Sequence, residues 1–250
     1  MIMKSSHDAL WTRCYERAVP DAPRLVCFPH AGGAASYYRP LALTLAPRIE
    51  VLAVQYPGRQ DRHREACVED VHRIADQIVE ALPPEDGRDL AFFGHSMGAV
   101  IAFEVARRLH DRGGPVPARL FASGRRAPSR HREEGAHLLD DAGLLDEIGA
   151  LGGTDSRLLE DSELLSVILP VVRSDYRAIE TYSHAPGPPL PCPVTAVVGD
   201  GDPRATVDEA RAWADHCTGD FQLHVLPGGH FYLDAQRDAV VKIITESLCH

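Results

Sequence analysis

Short apolar runs alternate along the chain with longer segments whose apolar residues recur every three or four positions. The runs occupy residues 24–28, 49–55, 90–93, 120–123, 194–198 and 221–226. Their length and largely apolar character predict strands, of which those at 24–28, 49–55 and 194–198 are expected to be buried. The segments predict amphipathic helices over residues 36–45, 68–82, 97–112, 206–215 and from 231 onward. Strands and helices in alternation predict an α/β fold, with a mostly parallel sheet covered by helices on both faces.

The pattern changes between Gly124 and about Pro189. Strand signals disappear, and the apolar spacing predicts helices over residues 138–151, 155–159 and 162–182. We interpret residues 124–189 as a helical lid inserted over the C-terminal edge of the sheet, within a single domain of residues 1–250. Ordinary packing helices are the alternative.

A G-x-S-x-G pentapeptide lies between the run at 90–93 and the helix that follows it. It reads Gly94-His95-Ser96-Met97-Gly98. In a strand–turn–helix of this kind the serine occupies a strained turn that exposes its hydroxyl, and the glycines allow close backbone approach. The N-terminus of the helix directs free N–H groups at developing negative charge. We therefore predict Ser96 as a nucleophile.

A serine nucleophile needs a base, usually a histidine that a carboxylate orients. His230, in the Pro-Gly-Gly-His loop after the last predicted strand, is the best placed of 13 histidines. Asp200 and Asp202 compete for the role of the acid. Asp202 is favoured because it lies deeper in the turn and can reach the histidine loop, and the other aspartate is expected to bond turn amides.

Two backbone amides are expected to stabilise an oxyanion. One follows the nucleophile, at Met97, and the second comes from the loop after the first strand, at Ala31 if that strand ends at Phe28. His30 and His95 are interpreted as structural residues beside the site. The residues from His131 to His137, which include two glutamates, match no familiar metal site, and we interpret them as a solvated charged loop.

Composition narrows the function classes. The net charge of −10 argues against non-specific nucleic-acid binding, and no apolar stretch is long enough to cross a membrane. The six scattered cysteines predict reduced thiols and no disulfide framework, with Cys27 and Cys192 in the core. The first residues lack the apolar core of a signal peptide, so we expect a cytoplasmic protein, and a monomer is the simplest oligomeric state.

Seven motifs, in order along nearly the whole chain, resemble those of the type II thioesterases. These are stand-alone enzymes of the α/β-hydrolase fold that accompany polyketide synthases and non-ribosomal peptide synthetases. The motifs are F-P-H-A-G-G from Phe28, Q-Y-P-G-R from Gln55, F-G-H-S-M-G-A from Phe93, S-G-R-R-A-P from Ser123, S-D-Y-R from Ser174, G-D-G-D-P from Gly199 and P-G-G-H-F from Pro227.

The resemblance implies the same site residues as the chemistry: Ser96, Asp202 and His230, with Ala31 and Met97 as oxyanion donors. It implies hydrolysis of aberrant or stalled acyl groups from the phosphopantetheine arm of acyl or peptidyl carrier proteins. No cofactor is expected, because the arm belongs to the substrate. The polyketide setting is mildly favoured. A general esterase and a non-catalytic binding protein are the alternatives, and cyclising thioesterases are usually fused to a synthase.

Carrier proteins are usually acidic, as is this chain, so docking requires a local basic patch. Two groups of arginines follow strand ends that face the predicted site. The candidates for carrier contact are Arg59, Arg62, Arg64, Arg130 and Arg132. A solvated arginine-rich loop is the alternative, and Arg125 and Arg126 are closer to the strand and are interpreted as structural.

Overall fold

The computed structural model describes residues 8–83, 86–152 and 162–249. Within them, seven strands form one sheet in the order β1-β3-β2-β4-β5-β6-β7. The strands are β1 (Thr12–Cys14), β2 (Arg24–Phe28), β3 (Glu50–Val54), β4 (Leu90–His95), β5 (Arg119–Ser123), β6 (Val194–Gly199) and β7 (Phe221–Leu226). β1 pairs antiparallel with β3, and every other pair is parallel. The predicted mostly parallel sheet is confirmed; the three-residue edge strand β1 was not predicted.

Helices flank the sheet and extend beyond its C-terminal edge. They are α1 (Asp8–Trp11), α2 (Arg39–Leu45), α3 (Val71–Ala81), α4 (Met97–Asp111), α5 (Asp141–Leu151), α6 (Ser162–Glu180), α7 (Val207–Arg211), α8 (Tyr232–Ala235) and α9 (Arg237–Leu248). α3 and α4 pack in one apolar cluster, and α2 and α9 pack in a second. Phe92 belongs to the first cluster and Phe93 to the second. Neighbouring residues of a strand point to opposite faces, so helices cover both faces of the sheet.

Local hydrogen bonds explain where the helix boundaries differ from the predicted ones. The helix expected from Ser36 is a 3₁₀ turn, Ala35–Tyr38, followed by α2. α3 begins only at Val71 because the Asp70 carboxylate accepts the Arg73 N–H, at 2.8 Å. Asp140 caps α5 in the same way, at 2.9 Å from the Gly143 amide.

Residues 124–189 contain a 3₁₀ turn followed by α5 and α6; the helix predicted at 155–159 lies outside the described residues. α6 packs directly on the loop that follows β2. A Cβ added at Gly32 would lie 2.7 Å from a methyl carbon of Val172 on α6. Gly32 also has φ +76°, a conformation that favours glycine. α6 therefore contacts the C-terminal edge of the sheet, where the predicted site residues lie.

Two further observations concern the cysteines and the helix lengths. All six cysteines lie in the described part of the chain and are free, and Cys27 and Cys192 are buried as predicted. Among the helices of residues 8–83, 86–152 and 162–249, none combines the length and the apolar character that a membrane crossing requires.

Candidate active site

Ser96 occupies the turn between β4 and α4 in a strained conformation, with φ +54° and ψ −119°. Such angles are rare for a residue with a side chain, and they mark a functional turn. The flanking glycines have no room for a Cβ. At Gly94 it would lie 2.2 Å from the Gly98 carbonyl oxygen, and at Gly98 it would lie 2.0 Å from the Phe28 carbonyl oxygen. The sequence thus forms the sharp strand–turn–helix that the pentapeptide predicts.

His230 and Asp202 meet Ser96 at the same edge of the sheet. His230 Nε2 lies 2.9 Å from Ser96 Oγ, and Nδ1 lies 3.0 Å from each carboxylate oxygen of Asp202. Asp202 and His230 are only 6% and 3% exposed. A carboxylate that accepts the Nδ1–H leaves Nε2 free to accept the serine proton. The three residues have the arrangement of a nucleophile, a base and an orienting acid.

Asp200 has a different partner from Asp202, as the sequence analysis expected for the other aspartate. Its carboxylate accepts the Gly228 N–H at 2.9 Å, and the Gly201 N–H donates to the Gly228 carbonyl at 2.9 Å. A Cβ added at Gly199 would lie 2.4 Å from that same carbonyl oxygen. Asp200 therefore fastens the loop after β6 to the loop that carries His230.

The two candidate oxyanion donors are Met97, which follows Ser96 in the chain, and Ala31 in the loop after β2. Met97 is the first residue of α4, so its N–H is among the amides that lack a partner within the helix. Ala31 lines the same cleft as Ser96 and His230. It belongs to a tight turn in which the Gly33 N–H donates to the His30 carbonyl at 2.9 Å.

Two further histidines, His30 and His95, lie close to His230. His95 Nδ1 lies 2.9 Å from Ser123 Oγ, which lies 2.6 Å from the Tyr232 hydroxyl, and this hydroxyl donates to the Val197 carbonyl at 3.0 Å. Burial, with the neighbouring charge of His230, lowers the pKa of His30 to about 3 and that of His95 well below its usual value. Both rings therefore stay neutral at pH 7, where they add no charge beside the candidate base.

The cleft at Ser96 has both apolar and charged walls. Its other lining residues are His30, Ala31, Arg125, Glu134, Leu151, Tyr176, Ile179, Arg204, His230 and Phe231. Burial alone would raise the pKa of Glu134, but its ion pair with Arg126 and the nearby charges of Arg125 and Arg204 lower it to about 2. The wall formed by residues 124–189 is therefore held by charge pairs.

The carrier-contact expectation is wrong for two of the five arginines. Arg59 is 7% exposed and forms a bidentate ion pair with Asp175. Arg62 is 4% exposed, pairs with Glu65 and lies over the Trp11 ring, 4.3 Å from its centroid. Buried guanidinium groups with internal partners are not available to a docking protein.

The other three arginines differ in their exposure. Arg64 and Arg130 are exposed. Arg132 is half-buried and pairs with Glu209, and it also donates to the Pro203 carbonyl at 3.0 Å. Arg64 and Arg130 stay candidates for carrier contact, whereas Arg132 is committed to the loop after Asp202.

The region from His131 to His137 was expected to be a solvated charged loop, but several of its side chains form ion pairs with neighbouring elements. Glu134 pairs with Arg126 and Arg204, and the His137 ring pairs with the buried carboxylate of Glu180. The same carboxylate accepts the His137 N–H at 3.0 Å. These side chains attach residues 131–137 to neighbouring elements, a role that the charge pattern alone did not indicate.

Comparison with known proteins gives consistent results. A family model described as "Thioesterase domain" matches residues 23–248. The probable cadicidin biosynthesis thioesterase of Streptomyces griseus is 51% identical over 96% of this chain and 66% of its own length. Thioesterase PikA5 of Streptomyces venezuelae is 50% identical over 96% of this chain and 85% of its own length.

Solved structures agree with these matches. The type II thioesterase BorB from the borrelidin biosynthetic cluster superposes with a TM-score of 0.89 at 50% identity, covering 96% of this chain and 98% of BorB. The RedJ thioesterase of the prodiginine pathway in Streptomyces coelicolor superposes with a TM-score of 0.86 at 40% identity, covering 93% of this chain and 89% of RedJ. These matches confirm the resemblance inferred from the motifs: the chain belongs to the thioesterase family.

Proposed function

We propose that this chain is a type II editing thioesterase, which hydrolyses aberrant or stalled acyl groups from the phosphopantetheine arm of acyl or peptidyl carrier proteins. The observation that carries the proposal is the alignment of Ser96, His230 and Asp202, with contacts of 2.9 and 3.0 Å at the edge of the sheet. Relatives with 50–51% identity are named as thioesterases, one of cadicidin biosynthesis and one, a type II thioesterase, of the borrelidin biosynthetic cluster, which supports a thioester as the substrate.

The proposed reaction has two halves. Ser96 Oγ attacks the thioester carbonyl carbon while His230 Nε2 takes the hydroxyl proton. The N–H groups of Met97 and Ala31 stabilise the oxyanion. When the tetrahedral intermediate collapses, the C–S bond breaks and His230 gives its proton to the departing thiolate. Water then attacks the acyl-enzyme with His230 again as the base, and the acid and the free serine are released.

The walls of the cleft suit a substrate that is part apolar acyl chain and part polar arm. Leu151, Ile179 and Phe231 supply apolar surface near Ser96, and Arg125 lies among them. Burial and the charge of Arg126 lower the pKa of Arg125 to about 9, so its guanidinium is still charged at pH 7.

The exposed Arg64 and Arg130 are proposed contacts for an acidic carrier. We further propose that the enzyme is a cytoplasmic monomer, which light scattering and cell fractionation would test.

One acyl group presented in three ways tests the proposed function. Hydrolysis would be measured with the acyl group on a carrier protein, on a short thiol mimic of the arm and as an oxygen ester. Ser96→Ala is the blank. We expect strong preference for the carrier-bound thioester and loss of turnover in the blank.

The possible outcomes separate the candidate functions. Equal or faster turnover of the oxygen ester would indicate a general esterase. Full turnover by Ser96→Ala would refute the assigned nucleophile. Failure of a fluorophosphonate to label Ser96, together with absent turnover on all three substrates, would indicate a non-catalytic binding protein.

A further inference from the structure

Two of the motifs that carry the family resemblance, Q-Y-P-G-R and S-D-Y-R, meet in a buried ion pair. Arg59 Nη1 lies 2.6 Å from Asp175 Oδ2, and Nη2 lies 2.8 Å from Oδ1. Asp175 is on α6 and is 1% exposed, whereas Arg59 follows β3. Burial alone would lower the pKa of Arg59, but the charge and hydrogen bonds of Asp175 raise it, so the Arg59 guanidinium stays charged. None of the roles assigned so far uses it.

The same carboxylate holds the loop that carries an oxyanion donor. Asp175 Oδ2 accepts the Gly32 N–H at 2.7 Å, and Gly32 follows Ala31 directly. Arg59 Nη1 also donates to the Gly33 carbonyl at 3.0 Å. One buried pair thus binds the peptide group before Gly32 and the peptide group after Gly33, and the amide of Ala31 lies one peptide group earlier in the chain.

Neighbouring bonds fix the rest of this loop from the segment after β3. The Gln55 side chain accepts the Ala35 N–H at 3.0 Å and donates to the Arg59 carbonyl at 3.1 Å. The Tyr56 hydroxyl donates to the Pro29 carbonyl at 3.2 Å. Of these hydrogen-bonding groups, Asp175 is the one supplied by α6. The loop beside the Ala31 amide is therefore linked to α6 through this carboxylate.

We infer that Asp175 is a positioning residue that couples the seating of α6 to the formation of the oxyanion hole. With α6 seated, its carboxylate orders Gly32 and directs the Ala31 N–H at the substrate carbonyl. When α6 moves away, Gly32 loses its acceptor, Arg59 loses its counter-ion, and the hole is no longer assembled. This inference rests on the proposed function, because it assumes that Ser96 attacks a carbonyl held by Ala31 and Met97.

The first test is Asp175→Asn, which keeps the size of the side chain and one oxygen but removes the charge that holds Arg59. Removing an oxyanion donor outright costs about 10²- to 10³-fold in kcat, so we expect a displaced donor to cost about 10- to 100-fold. KM should change by less than about threefold, since the lost interaction is made in the transition state. An acyl trifluoromethyl ketone, which forms a tetrahedral oxyanion adduct with serine, should bind more weakly by the same factor as kcat falls.

A second variant keeps the test valid if Asp175→Asn destabilises the fold. Arg59→Met combined with Asp175→Leu removes both charges at similar volume, and such replacements of buried pairs are often neutral for stability. The double variant also removes the acceptor of the Gly32 N–H. We expect it to fold and to show the same losses in kcat and in inhibitor affinity.

Glu180→Gln is the matched control. Glu180 lies on the same helix and its side chain is as buried as that of Asp175, and its carboxylate accepts the Ala136 and His137 amides at 3.0 Å, without a hydrogen bond to the loop of residues 29–35. We expect its kcat and inhibitor affinity to stay within about threefold of the parent values. Equal losses in Glu180→Gln and Asp175→Asn would overturn the inference, because the effect would then come from loosening α6 in general.

Other outcomes also decide the matter. Unchanged kcat in both Asp175 variants would overturn the inference, as would a rise in KM with kcat unchanged, which would assign Asp175 to substrate binding. Ser96→Ala, measured alongside, separates the two proposals. An inactive Ser96→Ala with fully active Asp175 variants refutes the coupling alone, whereas an active Ser96→Ala refutes the proposed function itself.

Discussion

The strand ends and the helical segment 124–189 form the same cleft but are stabilised in different ways. The sheet lies between two extensive apolar clusters, and every site residue on it follows a strand or begins a helix of this framework. In the segment, α5 and the middle of α6 share a small separate cluster of Leu144, Leu169 and Val172. The end of α6 adds Ala178 and Ile179 to the main core.

Ion pairs and hydrogen bonds provide much of the attachment of this segment. Arg126 and Arg204 bind Glu134, Asp175 binds Arg59, and the Tyr182 hydroxyl donates to Glu104 at 2.8 Å. Apolar packing is non-directional, whereas buried charge pairs demand particular geometry and add little net stability. The sheet therefore supplies stability and fixed strand ends, while the polar contacts of the segment determine where the segment lies on the sheet.

The largest effect is expected on the sheet side, at Asp202. Asp202→Asn should lower kcat by about 10⁴-fold, because an amide cannot hold His230 in the tautomer that accepts the serine proton. Asp200→Asn is the matched control two residues away. Since Asp200 binds a backbone amide of the histidine loop, its loss should cost about tenfold or less. Steady-state hydrolysis of a carrier-bound thioester checks both variants, and similar losses in the two would refute the assignment of Asp202 as the acid.

The next effect compares one substitution in the two regions. Leu120 on β5 and Leu144 on α5 are both fully buried. Leu120→Ala should lower the free energy of unfolding by about 2–5 kcal/mol. Leu144→Ala should lower global stability less, because its cluster is small and can open without the sheet, but it should speed amide exchange in α5. Denaturant unfolding and hydrogen exchange distinguish the two, and equal losses of global stability would show that the segment unfolds together with the sheet.

Much of the sheet side could be predicted from the sequence. The runs at 24–28 and 221–226 coincide with β2, a buried strand, and with β7, a partly exposed edge strand, since each run is short, largely apolar and followed by a turn signal. Ser96 was predicted from the pentapeptide, and Asp202 and His230 from their places after strands, because parallel strands bring their C-terminal ends to one edge. Boundaries were less predictable, because Asp70 and Asp140 act through bonds to a single amide each.

The polar attachments were not predictable from local pattern. Arg59 and Asp175 are 116 positions apart, so neither residue's surroundings in the sequence indicate the other. Arg59 was expected at the surface because arginine is usually exposed, and the burial of its guanidinium depends on a partner from another element. Arg62 over Trp11 is a similar case, since Trp11 precedes the unpredicted strand β1. The only available signal was that Arg59 and Asp175 each occur in a family motif.

A pH titration tests one contact that attaches residues 124–189 to the rest of the molecule. His216 Nε2 lies 2.8 Å from Ser129 Oγ, and burial, with the charge of His184, lowers the pKa of His216 to about 4. As the pH falls below about 6.5, His216 binds a proton in the unfolded chain but not in the folded chain. Its contribution to the free energy of unfolding is therefore present above pH 6.5 and is lost as the pH falls towards 4. Between pH 7 and pH 5 we expect a loss of about 1–2 kcal/mol from this group. His216→Gln should reduce that pH dependence in thermal unfolding, and an unchanged slope would contradict the assignment.

The smallest effect concerns the exposed arginines near the cleft. Arg64→Glu and Arg130→Glu should raise KM for an acyl carrier protein by about two- to fivefold each at low salt, because rim charges act mainly on encounter. The effect should shrink in about 0.5 M salt, which screens exposed charges, and KM for the short thiol mimic should not change. Arg112→Glu is the control, since Arg112 is exposed at the C-terminal end of α4, remote from Ser96 at its start.

If all three charge reversals raise KM equally, net charge alone attracts the carrier. If Arg64→Glu and Arg130→Glu leave KM unchanged, docking relies on other surfaces of the molecule. A rise confined to these two variants would place carrier recognition beside both the sheet edge and the segment 124–189, because Arg64 follows β3 whereas Arg130 belongs to that segment.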